Sequence, residues 1–280
     1  MALPNITLTA GMRQSLFDSQ ATAKMMDKTA SRLSSGLKVQ TALDDPINFF
    51  AAQGHRQRSG DLAQRKDEMG EASQTVKAAN TGIEAITDLI ASAKSTAQSA
   101  LAIDATATTT AQDYKDRSAL LVQFETLRSQ IDELAQDSGY KGLNFLQGST
   151  MTVEFSENAG DANLKVIGFD ADATGMSIDS ASGVWTTDAL VTSAIADLDS
   201  ARATLRTKSK ELSNALSTIT TRQEFTSQMI NTLEEGAANL VNADMNEEGA
   251  NMLMLQTRQQ LSTTSLSMAS QAAQSVLRLF

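Results

Sequence analysis

One histidine, a few adjacent carboxylate pairs and one aspartate-rich loop are the groups in this 280-residue chain whose types and spacing could do chemistry. His55, in FFAAQGHRQR, would need partners at coordination or hydrogen-bond spacing to act as a metal ligand or general base. Its neighbours supply none, so it reads as a surface or interface histidine. The pairs Asp44/Asp45, Glu234/Glu235 and Glu247/Glu248 could share acid–base work, but they fall at helix ends or in linkers, where capping and solvation account for them. DADATGMSIDSA, from Asp170, imitates the start of a calcium loop. Asp170, Asp172, Thr174 and Gly175 fit, but Ala181 stands where the bidentate glutamate belongs, so no calcium site is expected. The chain has no cysteine, which removes thiolate catalysis and Cys-based metal sites. Its glycines form no phosphate cradle ahead of a helix. No catalytic, metal or cofactor site is expected. An enzyme built on a helical bundle would need clustered polar groups inside its rods, and none stands out.

The elements around these residues say more. Hydrophobic residues make up 41% of the chain, aromatics only 4%, and prolines stand only at positions 4 and 46. Alanine and leucine at helical spacing suit slim helices packed along their length, and so few prolines permit long ones. Leu198, Leu205, Leu212, Ile219, Thr226, Leu233 and Leu240 are spaced by seven. A helix across them would be roughly 60 Å long at about 1.5 Å per residue and must bury its stripe against another rod. Leu62, Met69, Val76, Ile83, Ile90 and Ala97 supply the partner column, with Ala72, Ala79, Ile86, Ala93 and Ala100 beside it. The two stretches are expected to pair antiparallel. A shorter helix near Tyr114–Gln136, carrying Leu120, Phe124, Leu127, Ile131 and Leu134, completes the bundle. The Thr-rich link from Asp104 is its turn.

The chain ends form a second pair. Met12, Leu16, Ala23, Met26, Ala30, Leu33 and Leu37 follow 3/4 spacing, as do Leu266, Ala269, Ala273, Val276 and Phe280, although that column weakens at Gln259 and Ser262. Met252 to Leu255, MLML, is apolar all round, more than one two-helix contact can bury. Both ends are expected to be exposed and loose in a lone molecule. Between the pairs lies RLSSGLKVQTALDDPINFF, from Arg32. Gly36 can end the first helix. Asp44 or Asp45 can cap the next, with Pro46 in its first turn. The segment between reads as an extended spoke or hinge. From Gly139 to Trp185 the sequence becomes turn-rich. TVEF and NLKVIGF read as strands joined by SENAGDA, and the segment is expected to face solvent.

The net charge of −10 comes without a basic stripe, which argues against a nucleic-acid partner. No apolar run could span a bilayer, so no membrane partner is expected. The opening MALPNITLTAGMRQS lacks a charged leader followed by an apolar block. That pattern reads as cytoplasmic unless the chain leaves the cell by a route that needs no cleavable signal. Asn5 begins a glycosylation sequon, discounted for its place at a terminus.

RLSSGLKVQTALDDP resembles the N-terminal signature of bacterial flagellins. ANLVNADMNEEGANMLMLQTRQQLSTTSLSMASQAAQSVLRLF resembles their C-terminal signature, and LRSQIDELAQDSGYKGLNFLQG the segment that leads from the third helix to the first hairpin. Together the matches cover most of the chain outside about 151–185, so the chain resembles a minimal flagellin with a short variable region. The fold so implied is mainly α, a long antiparallel bundle of the two halves with a small β-hairpin-containing centre. In that reading 1–37 is an inner-tube helix, 38–45 a spoke and 46–140 the N-terminal part of the outer core bundle. Residues 141–186 form an exposed central segment, 187–240 the C-terminal outer-core helix and 241–280 the C-terminal inner-tube helix. The assembly interface would comprise Met12, Leu16, Met26, Leu33, Leu37, Met252, Leu255, Leu266, Val276 and Phe280, and the spoke Gly36, Asp44, Asp45 and Pro46. The bundle core would comprise Leu62, Met69, Val76, Ile83, Ile90, Leu198, Leu205, Leu212, Ile219 and Leu233.

The resemblance implies a structural subunit that polymerises with itself into the extracellular flagellar filament. It would be exported without a cleavable signal peptide by the flagellar type III apparatus, with an export chaperone, and would meet the filament cap and hook-associated proteins. DDPINFFAAQ also resembles hook–filament junction proteins, the alternative reading. O-linked sugars on the central segment are implied by the family alone. Flagellins that activate the vertebrate innate receptor carry an arginine-bearing motif on the first long helix. Here LIASAKSTAQ, from Leu89, places Ala91 and Ala93 at those positions, so weak or absent activation is expected. Met25, Met26, Met245, Met252 and Met254 read as adaptable packing residues.

Overall fold

Asp45 and Pro46 start the second helix as the sequence predicts. The Asp45 carboxylate accepts the backbone N–H of Asn48 at 3.1 Å and its side-chain amide at 2.6 Å, and Pro46 takes the first helical position. A computed structural model describes residues 10–104, 112–157, 162–180 and 185–277, without the side chains of Ala273, Val276 and Leu277. The expectations placed on Asn5, the Thr-rich link, Ala181, Val276 and Phe280 fall on residues or side chains outside that description. The described elements are α1 (Ala10–Ser35), α2 (Pro46–Leu101), α3 (Gln112–Asp137), β1 (Thr150–Glu154), β2 (Asn163–Ile167), α4 (Asp188–Val241) and α5 (Met245–Leu277). They fall into two units, one of residues 58–231 and one of 1–57 with 232–280.

In the first unit, α2 and α4 run antiparallel. Asn80 accepts from Ser209 at 2.7 Å, while Lys66 accepts from Gln223 at 3.4 Å. Their heptad columns meet: Met69, Val76, Ile83 and Ile90 lie in one buried core with Leu198, Leu205, Leu212 and Ile219, joined by Phe124 and Ile131 of α3. Leu62 is also buried. These helices are rich in Ser and Thr, which compete with the backbone for hydrogen bonds unless satisfied locally. Thr75, Thr87 and Thr96 donate to carbonyls four residues back, so the hydroxyls are satisfied without breaking the helix. Gly82 is the close-approach glycine: a Cβ there would lie 2.7 Å from Leu146 Cδ1 and collide with Ser138.

β1 and β2 form an antiparallel hairpin in which Thr150 pairs with Ile167 and Glu154 with Asn163. The segment around it departs from the expectation of a solvated surface piece. Phe145, Leu146, Ala171, Ala173, Ile178 and Trp185 are all at most 1% exposed. The Trp185 ring stands 5.2 Å from Phe124. Long-range hydrogen bonds hold the segment: Asp132 accepts the N–H of Ala173 at 2.7 Å, and Arg128 donates to the Ile178 carbonyl at 3.1 Å. Asn144 donates to the carbonyls of Ala135 and Gln136 near the end of α3. The polar composition belongs to the outward side chains, while a sparse apolar set closes the bundle. Asp172 of the calcium-like loop is engaged in its own turn, accepting the Gly175 N–H at 2.6 Å. Among the described residues no group of three or more His, Cys, Asp or Glu could hold a metal ion, and no helix is long and apolar enough to cross a membrane.

Candidate assembly interface

The second unit is built from the chain ends and the spoke between them. Gly36 ends α1 in the left-handed conformation, φ +73°, its N–H donating to the Arg32 carbonyl at 2.8 Å. The chain then runs extended and pairs with the link between α4 and α5. Lys38 N–H donates to the Val241 carbonyl at 2.8 Å, and Ala243 N–H to the Gly36 carbonyl at 2.9 Å, around an antiparallel bridge between Leu37 and Asn242. Val39, Ala52, Ala237 and Val241 form a small core beneath, with Leu37, Phe49 and Leu240 packed on it. Gln40 donates back to Ser35 of α1 at 2.7 Å. The Asp44 carboxylate accepts from the backbone N–H groups of Thr41 and Gln40 and from the Thr41 hydroxyl. The Thr41 backbone bond, foremost, holds the Asp44 carboxyl below the usual carboxylate range; the Asn48 backbone bond does the same for Asp45. The spoke is therefore a strap bonded on both sides. His55 lies over Gly236, whose Cβ would sit 3.9 Å from its ring. Leu233 is buried in this unit.

Asp244 caps α5, its carboxylate accepting from Asn246 and Glu247 N–H. α5 then packs antiparallel on α1. Arg32 meets Glu248 at 2.7 Å near one end of the contact, and Gln259 meets Ser19 at 3.4 Å further along. The least exposed α1 positions are Met12, Ser15, Ser19, Thr22, Met26, Thr29 and Leu33, a regular 3/4 series. On α5 they include Glu248, Met252, Leu255, Gln259, Ser262, Leu266 and Ala269, again spaced by three and four. The seam thus mixes large apolar side chains with small and polar ones, and the apparent break at Gln259 and Ser262 is part of it. Glu248, read from sequence as a solvated or capping acid, is instead buried in an ion pair with a residue 216 positions away. Sequence periodicity missed Ser15, Ser19, Thr22 and Thr29 because it follows apolarity; their own 3/4 spacing was the available signal.

The seam covers little. Thr29 is the one buried residue of the 26 in α1, and the Gln259 Oε1 atom is buried without a hydrogen-bond partner among the described residues. A helix gains most of its stability from packing an apolar face, yet here many of the large apolar side chains point away. Leu16 and Phe17 of α1 are exposed, and so is Leu253 of α5. Met254, Leu261 and Met268, spaced by seven, form an exposed column beside the seam. Met25 borders the same grooves as Met254 and Leu261. At the start of α2, Leu43, Ile47 and Phe50 are 96, 82 and 61% exposed. Of the expected interface residues, the structure sets Met12, Met26, Leu33, Met252, Leu255 and Leu266 into the seam, Leu37 into the strap, and leaves Leu16 outside. Contiguous apolar exposure of this kind marks a surface that another protein covers.

The chain matches two family descriptions, the bacterial flagellin N-terminal helical region over residues 8–151 and the bacterial flagellin C-terminal helical region over residues 189–280. It is 28% identical to flagellin FljM and 29% identical to flagellin FljK of Caulobacter vibrioides, in each case over 280 residues covering the whole of both chains. It is 28% identical to a flagellin of Brucella melitensis over 271 residues, 93% of each chain.

Proposed function

This chain belongs to the bacterial flagellins, and from that premise we propose that the apolar faces of α1, α5 and the start of α2 are its polymerisation surface. The protein is a structural subunit of the flagellar filament, the helical propeller of swimming cells, and not an enzyme. The full-length match to flagellins does not favour the hook–filament junction alternative.

The single observation that carries the proposal is the apolar surface the α1–α5 pair leaves uncovered: the seam takes in Met12, Met26, Leu33, Met252, Leu255 and Leu266 among small and polar residues, while Phe17, Met25, Leu253, Leu261 and Met268 stay exposed. A two-helix hairpin selected to stand alone would not leave such a set exposed. Neighbouring copies supply the missing apolar partner, and the contact is heterologous, so it propagates as an open helix instead of closing. Burial of those side chains drives assembly, against the ordering entropy of the ends. The inner-tube role of 1–37 and 241–280 and the outer-tube role of 46–140 and 187–240 follow the same reading. So do export through the flagellar apparatus, aided by a chaperone, and contact with cap and hook-associated proteins at the filament's two ends.

Seeded assembly of the purified chain, followed by electron microscopy, tests the proposal. Micrometre filaments from the full chain, lost on deleting 266–280 while the helical content of the remainder persists by circular dichroism, are expected. A deletion that still polymerises would refute it.

A further inference from the structure

With 33 acidic and 23 basic side chains, this chain has carboxylates to spare, yet it leaves three cations in one row without a partner. Arg202, Arg206 and Lys210 recur every fourth residue on α4, which places them along one side of the helix, and all three are exposed. Among the described residues none of them makes an ion pair or hydrogen bond. They line a groove of about 310 Å³ between α2 and α4 that also holds Thr87, Glu84 and Asp88. Glu84 is engaged by the Asn80 amide at 3.2 Å. Nearby cations behave differently, Lys94 pairing with Asp199 and Lys208 with Glu211.

The opposite flank of the same helix carries the complementary charge. Asp197 is half-buried and lines a small notch with Asp179, Ser180, Ser193 and Trp185. Neither aspartate has an ion-pair or hydrogen-bond partner among the described residues. Arg128, on α3 beside this segment, is already engaged with Glu125 and the Ile178 carbonyl. Burial, and then the charge of Asp179, push the Asp197 carboxyl up, as expected of an anion that lacks its counter-charge. Asp197 and Arg206 are nine residues apart, so at about 100° per residue they point in opposite directions from α4. One molecule cannot bring them together; two side by side can.

We propose that the Arg202–Arg206–Lys210 row of one copy docks against the Asp179–Asp197 notch of a laterally adjacent copy. The proposal deepens the filament reading and rests on it. The contact is heterologous, so each copy uses its row on one side and its notch on the other, and the series does not close on itself. It staggers neighbours by roughly 7 to 20 Å, the axial distance from Asp197 to Arg202 and to Lys210 at about 1.5 Å per residue. Charge pairing of this kind fixes register and partner choice more than it adds raw affinity.

Seeded polymerisation of full-length variants tests it, with critical concentration read by sedimentation at low salt. Reversing the row (R202E/R206E/K210E) or the notch (D179K/D197K) is expected to raise the critical concentration about tenfold, with an unchanged thermal melt of the free chain. The five-fold variant carrying both reversals is expected to return close to the wild-type value. Wild-type polymerisation with no effect of either reversal overturns the contact. So does impairment by both reversals without rescue in the combined variant. A wild-type chain that fails to polymerise at all would instead remove the filament reading beneath it.

Discussion

Leu261→Ala separates a residue that holds the molecule together from one that holds the polymer together. Leu261 is 66% exposed in the free chain, midway along the Met254–Leu261–Met268 column. Full burial of a leucine side chain is worth about 1.5–3 kcal/mol, so roughly 1–2 kcal/mol remains for a neighbour to gain. Alanine removes most of that and is a better helix former, so α5 itself loses nothing. The free chain should melt within about 0.5 kcal/mol of wild type, while the critical concentration for seeded assembly rises about 5- to 30-fold. Leu255→Ala is the contrast. Leu255 is 5% exposed inside the seam, and its truncation should loosen α1 against α5 by about 2 kcal/mol before any neighbour is involved. Circular dichroism melts and sedimentation of the seeded polymer read the two effects separately. Leu261→Ala that assembles at the wild-type concentration, or that destabilises the free chain as Leu255→Ala does, would refute the reasoning.

Gly82→Val drives side-chain atoms into Leu146 and Ser138, and overpacking of this kind costs about 1–3 kcal/mol; a fall of roughly 5 °C in the melting temperature is expected. Glu248→Gln removes the charge from the Arg32 pair and should cost about 1–3 kcal/mol, read as faster amide hydrogen exchange in α1 and α5 with the 58–231 unit unchanged. The Asp44 and Asp45 carboxyls are both held below the usual carboxylate range by the backbone N–H groups of Thr41 and Asn48. Their contribution is complete above about pH 4 and is lost as the pH falls further, through the folded-state values; exchange protection of residues 36–49 should drop in that window and not between pH 5 and 8. Ala91 is exposed and Ala93 buried on α2, where receptor-activating flagellins resemble one another in arginine, so a reporter-cell assay on the purified monomer should give little signal, and strong signalling at ordinary doses would contradict this.

The heptad columns of α2 and α4 are legible in the sequence because their core is built from repeated Leu, Ile, Val and Ala at a fixed interval, and Gly36, Asp45 and Pro46 announce their boundaries by backbone chemistry alone. Two features are not legible. The α1–α5 seam runs through Ser15, Ser19, Thr22, Gln259 and Ser262 as well as Met12, Met26 and Leu33, so a search for apolar spacing finds only part of it and adds Leu16, Ala23 and Ala30, which are exposed. The segment that buries Ile178 and Trp185 is held where Asp132 accepts the Ala173 N–H and Arg128 donates to the Ile178 carbonyl, contacts about 40 to 50 residues distant in sequence that no local pattern encodes. The same holds for the Arg32–Glu248 pair and for Arg117, which is 2% exposed and reaches Asp188 of α4 at 2.9 Å and the Ile103 carbonyl at 3.1 Å.

The most direct measurement is hydroxyl-radical footprinting of the soluble chain and of its seeded polymer, read at Phe17, Met25, Leu261 and Met268. Strong labelling in the soluble chain and protection of all four in the polymer are expected. Equal labelling of these side chains in both states would mean that neighbours do not cover them, and the account of assembly would fail.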